Sequence, residues 1–354
     1  MTDAAQPASA LRFVRRDVRT MSGYTPGEQV VDCIKLNTNE SAWPTSPHVL
    51  RVLASTHTDA LRKYPDPRSR RLREVAASVY GVTPEQVLAG NGSDDCLTII
   101  YRALLTADDR VACPWPTYGL YDDLAALQGV AIEHVDWSKD WSLPSVLPRL
   151  GAKLILLANP NNPSGTVVPV DQVRRLADAL DGVLVVDEAY VDFCPGGSIL
   201  PHLASHPNLI VLRTFSKSYS LAGGRLGLLF AAAPLVSEFM KVKDSYNVNA
   251  LSQAVGIAAL EDRDHHRDLI RKTLSERGRL EGELAKLGWT WPPSGANFLL
   301  CEVGSKAKDI YLALKARGLL VRWWDRPDLS SKLRITVGTP EQTDTLMKHL
   351  RELV

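Results

Sequence analysis

Lys217 stands among hydroxyl residues in RTFSKSYSLAGGRLG (213–227), directly after an apolar run. A lysine that is partly desolvated has a lowered pKa and a nucleophilic amine. Thr214, Ser216 and Ser218 can donate hydrogen bonds to an anion, and Arg225 follows eight residues on (225 − 217), with Gly227 behind it. The plain alternative is a solvated loop lysine, since exposure is the rule for this residue type. VLVVDEAY ends in Asp187, Glu188 and Tyr190. Acidic groups at the carboxyl end of a parallel strand sit where α/β sheets bind ligands; otherwise they are charges that end a strand at the surface.

GNGSDD (90–95) follows a short apolar turn and opens a predicted helix. The N–H groups of Gly92, Ser93 and Asp94 would point at an anion there, although a turn followed by an N-cap explains the same residues. The GxGxxG pattern is incomplete, and no GK[ST] follows. NPNNPSG (159–165), which contains Asn162, forms an elaborate turn after KLILLA. Tyr118 and Tyr121 in PTYGLY can stack on a flat ring or simply pack. The eight histidines show no HExxH spacing and the five cysteines no CxxC, so no metal is expected. GxSxG is absent, which leaves a nucleophile-elbow hydrolase without support.

These groups need elements to position them. RVACP (110–114), KLILLANP (153–160), GVLVVDEAY (182–190) and NLIVLRTF (208–215) are β-rich and nearly continuously apolar, as strands buried on both faces of a parallel sheet are. Helical patterns lie between and around them, in SRRLREVAASVYG (69–81), LTIIYRALL (97–105) and VDQVRRLADAL (170–180). Strand alternating with helix implies a doubly wound α/β sheet. From about residue 245 two long helical stretches appear, the second with Leu269, Ile270, Leu274, Leu284 and Leu287 as an apolar stripe. The shorter strands ANFLLCEV, LLVRWW and KLRITVG then predict a smaller α+β lobe.

Composition is ordinary for a globular protein: 354 residues, 45% hydrophobic and 23% charged. The charge balance, 41 − 40 = +1, supplies no global field for nucleic acid or an anionic membrane. The odd, widely spaced cysteines favour a reducing compartment. MTDAAQPASALRFVRR lacks the apolar core of a secretory signal. Leu226 to Val236, the longest uncharged apolar stretch, is too short to span a bilayer. A cytoplasmic protein is expected.

A lysine amine, an acid at a strand end, an Asn-rich turn, a stacking tyrosine and a hydroxyl, arginine and glycine cradle are together what pyridoxal 5'-phosphate requires. The motifs KLNTNES, KYPD, GNGSDD, PTYGLY, NPNNPSG, VDEAY, TFSKSYSLAGGRLG and LRITVGT occur in that order. From about Tyr24 to the C-terminus they resemble the fold-type I aminotransferases of classes I and II, and within them the branch that acts on histidinol phosphate.

The resemblance implies a large domain (38–245) that binds pyridoxal 5'-phosphate, its mostly parallel sheet sandwiched by helices. It also implies an N-terminal arm (1–37) packing with the small domain, and a small C-terminal α+β substrate domain (246–354). Lys217 would hold the cofactor as a Schiff base and later move the proton. Asp187 would pair with the ring nitrogen, Asn162 and Tyr190 with the phenolic oxygen, and Tyr118 would stack on the ring. Ser93, Asp94, Thr214, Ser216 and Arg225 would surround the cofactor phosphate. Tyr64, in KYPD, would reach the phosphate of a neighbouring subunit in a homodimer with shared sites. Arg334 would hold a substrate carboxylate. Asn39 would line the pocket, and Arg322 and Tyr24 would help recognise a phosphate-bearing substrate.

The implied reaction is transamination between histidinol phosphate and 2-oxoglutarate, giving imidazole acetol phosphate and glutamate, in histidine biosynthesis. An aromatic amino-acid aminotransferase and a threonine-phosphate decarboxylase share the fold and the cofactor shell. Three features depart from the family pattern. Ser164 stands where Thr is usual, Gly224 where a larger apolar residue is common, and Trp323 and Trp324 follow Arg322.

Overall fold

The computed structural model describes residues 10–21, 23 and 27–354. Its strands are β1 (Ile34–Lys35), β2 (Val87–Gly90), β3 (Arg110–Trp115), β4 (Ala131–Asp136), β5 (Leu154–Ala158), β6 (Val183–Asp187), β7 (Leu209–Thr214), β8 (Gly227–Ala231), β9 (Phe298–Glu302), β10 (Leu319–Leu320) and β11 (Lys332–Thr336). The large sheet runs in the order β2-β8-β7-β6-β5-β3-β4. Only β8 opposes the rest, pairing antiparallel with both β2 and β7. The expected central strands are buried along their length, whereas β4 at the edge is largely exposed and reads AIEHVD.

Side chains alternate across a strand, so β5 and β6 feed two cores. Ile155, Leu157, Leu184 and Val186 face one layer, with Leu72, Val173 and Val255 from its helices. Leu154, Leu156 and Val185 face the other, with Ile99, Tyr101, Leu124 and Phe239. Helices therefore cover both faces, and the apolar runs need no polar face. The helix Arg70–Tyr80 ends at Gly81, whose φ of 71° is a left-handed cap that glycine adopts without strain.

The segment before GNGSDD is strand β2 rather than a turn. It is four residues long and pairs at the sheet edge with β8. The helix Ala250–Glu261 lies beyond the expected boundary at 245 but packs with the large lobe. Its Val255, Ala258, Ala259 and Leu260 share a core with Val49, Leu72 and Val75. The next helix, Arg263–Ala285, joins the lobes: His266 meets Ser218 near one end, and Leu280 and Leu284 enter the small-lobe core at the other. Its apolar stripe is accordingly broken. Ile270, Leu274 and Leu287 are only half-buried, while His266, Thr273 and Glu276 are buried between the partners.

In the small lobe β9 pairs antiparallel with β11, and β1 pairs parallel with β10. An antiparallel bridge between Arg322 and Arg334 joins the two pairs, with backbone N···O distances of 3.0 and 2.9 Å. Leu36, just past β1, donates its N–H to Leu320 O at 2.7 Å and buries its side chain in the small-lobe core. The chain entering from the N-terminus is thereby built into this lobe. Among the described residues no helix is long and apolar enough to cross a membrane.

Candidate active site

Strands that run alike end on one edge, and so do the loops that follow them. β3, β5, β6 and β7 deliver PTYGLY, NPNNPSG, the Asp187 turn and the Lys217 turn to that edge. β2 runs the same way and delivers GNGSDD. β8 runs oppositely, so it is its start that arrives there, with Arg225 just ahead. Gly227 pairs with both Gly90 and Thr214, which aligns these motifs side by side. The result is a cavity of about 610 Å³ between the lobes, lined by every expected site residue except Tyr24 and Tyr64. Tyr24 lies outside the described residues. Tyr64 lies away from the cavity, 80% exposed, and stacks on Tyr246 with ring centroids 4.3 Å apart.

Asp187 is the last residue of β6. Its Oδ2 accepts from Tyr121 Oη at 3.1 Å, and its Oδ1 accepts from Ala189 N at 3.1 Å. Burial pushes its pKa up to about 6, against the lowering effect of these two donors. Lys217 Nζ donates to Thr38 O at 3.1 Å and lies 5.6 Å from the Tyr190 ring centroid. Burial, helped by the positive charge of Arg334, pulls its pKa down to about 8. A desolvated amine and a desolvated carboxylate thus share one cavity.

The N-terminus of the helix Ser93–Leu104 faces the same space. Asp94 accepts from Tyr118 Oη at 3.2 Å and from Arg225 Nη2 at 3.2 Å. Arg225 also reaches Ser216 Oγ at 3.5 Å, and Thr214 Oγ1 accepts from Ser216 N at 3.2 Å. Two glycines keep this corner open. A Cβ on Gly227 would stand 2.4 Å from Ser93 N, and one on Gly92 would stand 2.7 Å from Arg225 Nη2. A helix N-terminus, two hydroxyls and an arginine around glycines form a fitting cradle for a phosphate. The Asp94 side chain is held on Arg225 and Tyr118, so what it offers an anion is its backbone N–H.

Asn39 is held in the left-handed region, at φ 56°. Its Nδ2 donates to Tyr190 Oη at 3.0 Å, and Thr336 Oγ1 donates to its Oδ1 at 3.0 Å. Asn162 Oδ1 accepts from Arg334 Nη1, and Arg334 Nη2 donates to Asn37 O at 2.7 Å. Arg322 and Arg334 face each other across their bridge, and directly opposed residues of an antiparallel pair project on one face. Two opposed cations on a cavity wall repel unless an anion joins them.

Ser164 is fully buried, and its Oγ links Asn161 Nδ2 (2.8 Å) to Thr166 Oγ1 (2.7 Å) within the NPNNPSG turn. A Cβ on Gly224 would only touch Leu221 at ordinary distance, so packing there has room for a larger residue. Among the groups that sequence reasoning left unassigned are Tyr121, Thr336 and Thr38, which hydrogen-bond to Asp187, Asn39 and Lys217. Tyr121 stands one helical turn beyond Tyr118, and this spacing is a usable signal. Thr336 stands two residues after Arg334 in a strand and so shares its face, which is another. Thr38 acts through its backbone carbonyl and carries no side-chain signal at all.

The family model "Aminotransferase class I and II" matches residues 31–350. The chain is 43% identical over 350 residues to histidinol-phosphate aminotransferase 1 of Bradyrhizobium diazoefficiens, covering 97% of this chain and 99% of that one. It is 39% identical over 344 residues to the histidinol-phosphate aminotransferase of Geotalea uraniireducens, covering 96% and 99%. A crystal structure of the Sinorhizobium meliloti histidinol-phosphate aminotransferase in complex with pyridoxal-5'-phosphate superposes with a TM-score of 0.89 at 27% identity, covering 98% of this chain and 100% of that one. The mostly parallel sheet, the lysine and the buried carboxylate in one cavity, and these likenesses agree, and the chain belongs to the class I and II aminotransferase family.

Proposed function

We propose that the protein is a histidinol-phosphate transaminase of histidine biosynthesis, with pyridoxal 5'-phosphate as cofactor and 2-oxoglutarate as amino acceptor. The observation that carries this reading is a single cavity in which half-buried Lys217 and buried Asp187 share the lining with the opposed pair Arg322 and Arg334. Lys217 would hold the cofactor, Asp187 its ring nitrogen, and Asn162 and Tyr190 its phenolic oxygen. Tyr118 would lie against the ring. Ser93, Asp94, Thr214, Ser216 and Arg225 would hold its phosphate.

When bound, the cofactor supplies an electron sink for the charge left on the substrate α-carbon as its proton departs. Lys217 Nζ, set free when the substrate amine takes its place, would take that proton, and partial burial suits it to the task because an amine near pKa 8 is partly neutral at neutral pH. Asp187 stays ionised once a cation faces it, and a charge-assisted bond of this kind outweighs a neutral one. Arg334 and Arg322 bind the phosphate of the amino donor. In the other half-reaction Arg334 holds a glutamate carboxylate, because a planar guanidinium suits either oxyanion. Asn39 lines the pocket, and Tyr24 would help recognise the phosphate-bearing substrate.

The working form is a cytoplasmic homodimer in which Tyr64 reaches the partner's cofactor phosphate. The 80% exposure of Tyr64 suits this role.

The decisive test is an assay panel with pyridoxal 5'-phosphate and 2-oxoglutarate, offering histidinol phosphate beside phenylalanine, tyrosine and phosphothreonine. Glutamate formation fastest with histidinol phosphate is expected. Carbon dioxide release from phosphothreonine, or a preference for the aromatic amino acids, would overturn the reading. Borohydride reduction of the loaded enzyme should fix the cofactor on the peptide that carries Lys217.

A further inference from the structure

We propose that Trp324 is a positioning residue, and that it holds the two arginines of the substrate wall convergent on a phosphate dianion. The inference rests on the substrate reading above and goes beyond it in naming what sets the geometry of the anion site.

The two tryptophans after Arg322 behave differently. Val321 is buried in the small-lobe core, and Trp323 packs against that core. Trp323 Nε1 donates to Ser330 O at 2.9 Å, and its ring stacks on Tyr311 with centroids 6.0 Å apart. Arg322 and Trp324 take the other face and line the cavity.

On that face, the guanidinium carbons of Arg322 and Arg334 both lie 5.3 Å from the Trp324 ring centroid. The electron-rich face of an indole attracts a cation at this range, and among the aromatics tryptophan does so best. One ring therefore offsets the mutual repulsion of two opposed guanidiniums and restrains both.

The two arginines do not depend on Trp324 equally. Arg334 is also tied to Asn162 and to Asn37 O, and its guanidinium carbon lies 5.2 Å from the Phe298 ring centroid. Arg322 has its side-chain ring contact with Trp324. Loss of the indole should free Arg322 far more than Arg334. A phosphate that engages both arginines then suffers more than a carboxylate that Arg334 can hold.

The test uses the holoenzyme with Trp324→Leu and Trp324→Phe. Inorganic phosphate is the probe, titrated as a competitive inhibitor of the glutamate half-reaction. In Trp324→Leu the phosphate inhibition constant should rise about tenfold, as expected for losing a desolvated cation–π contact. The glutamate KM should rise less than about threefold with kcat retained, and this also reports an intact fold. Trp324→Phe, which keeps a ring face, should restore most of the phosphate affinity.

An unchanged phosphate constant in Trp324→Leu, equal losses for phosphate and glutamate, or a phenylalanine variant as poor as the leucine one would each overturn the proposal. Should the leucine variant lose the glutamate half-reaction, Trp324→Met puts the same question with a flexible apolar filler. The probe does not depend on the amino donor. A wild-type enzyme that is inhibited by phosphate through Trp324 but inert toward histidinol phosphate would sink only the substrate reading.

Discussion

Tyr121 Oη donates a hydrogen bond to Asp187 Oδ2 at 3.1 Å, and both side chains are buried. The bond opposes the effect of burial, which holds the Asp187 carboxyl at about 6. Tyr121→Phe removes a donor from the ionised form, so the Asp187 pKa should rise further. The acid limb of the kcat profile should move to higher pH, and kcat at pH 7 should fall about tenfold, the usual scale for one charge-stabilising hydrogen bond. Asp187→Ala should still bind cofactor yet lose several orders of magnitude in kcat. A pH–rate series on the three proteins checks both, and an acid limb that stays in place in Tyr121→Phe would uncouple the pair.

Lys217 leads to a stability prediction for the cofactor-free protein. Its pKa is about 8 when folded, against 10.5 for an ordinary lysine, so between these values the unfolded chain binds more protons than the folded one. Stability from this group therefore rises with pH across that window, and the penalty is full below pH 8. Lys217→Met should stabilise the cofactor-free protein at pH 7 by about 2 kcal/mol, after allowing for the lost bond to Thr38 O. The gain should vanish above about pH 10.5, as the penalty it removes does. Urea unfolding at pH 7 and at the alkaline end measures it; an equal gain at both would refute the cause.

Behind the lysine turn lies a buried ion network. Arg213 pairs with Glu188 at 2.8 Å and with Asp192 at 2.7 Å, and the Glu188 side chain is fully buried. Burial raises the Glu188 pKa. At Asp192 burial has the same tendency, but Arg213, with His266 and Ser218, holds the carboxyl well below its usual value. Arg213→Met removes the cation shared by two buried carboxylates, which keep only hydrogen-bond donors (Ser198 and Ile199 N on Glu188, Ser218 and His266 on Asp192), and should cost about 4 kcal/mol, more than Glu188→Gln, which leaves Arg213 paired with Asp192. Chemical denaturation of the two variants ranks them, and the opposite order would deny that Arg213 is the hub.

Two glycine substitutions should act in opposite directions. Gly227→Ala places a Cβ 2.4 Å from Ser93 N and 2.5 Å from Gly92 C, both backbone atoms. The start of the Ser93 helix must move, so cofactor affinity should fall at least about tenfold and stability by about 2 kcal/mol. Gly278 lies within the helix Arg263–Ala285, and a methyl added there would meet nothing within 4 Å. Gly278→Ala should stabilise the protein by about 0.8 kcal/mol through helix propensity alone. Thermal unfolding and cofactor titration of the two variants test this contrast.

Much of the architecture was legible in the residues alone. The apolar runs at 153–160, 182–190 and 208–215 read as central strands because burial on both faces forbids polar alternation, and they are central strands. The chemistry-bearing turns read as ligand loops because each follows such a run. Strand β2 was not legible: four residues are too few for periodicity to separate a strand from a turn. Nor was the core partner of the helix Ala250–Glu261, since a largely apolar helix does not reveal which lobe it packs on.

The order of motifs along the chain by itself determined the family, the cofactor chemistry and which lysine and carboxylate to watch. Such information is local, held in residue type and in periods of two and near four. Only the tertiary structure decided how these residues meet. The reversed direction of β8 brings Arg225 beside Ser93, and the register of the small lobe sets Arg322 against Arg334. Tyr121 reaches Asp187 across 66 positions of chain. Contacts of this kind depend on strand direction and pairing register, which arise from how the whole core closes and are written in no single segment.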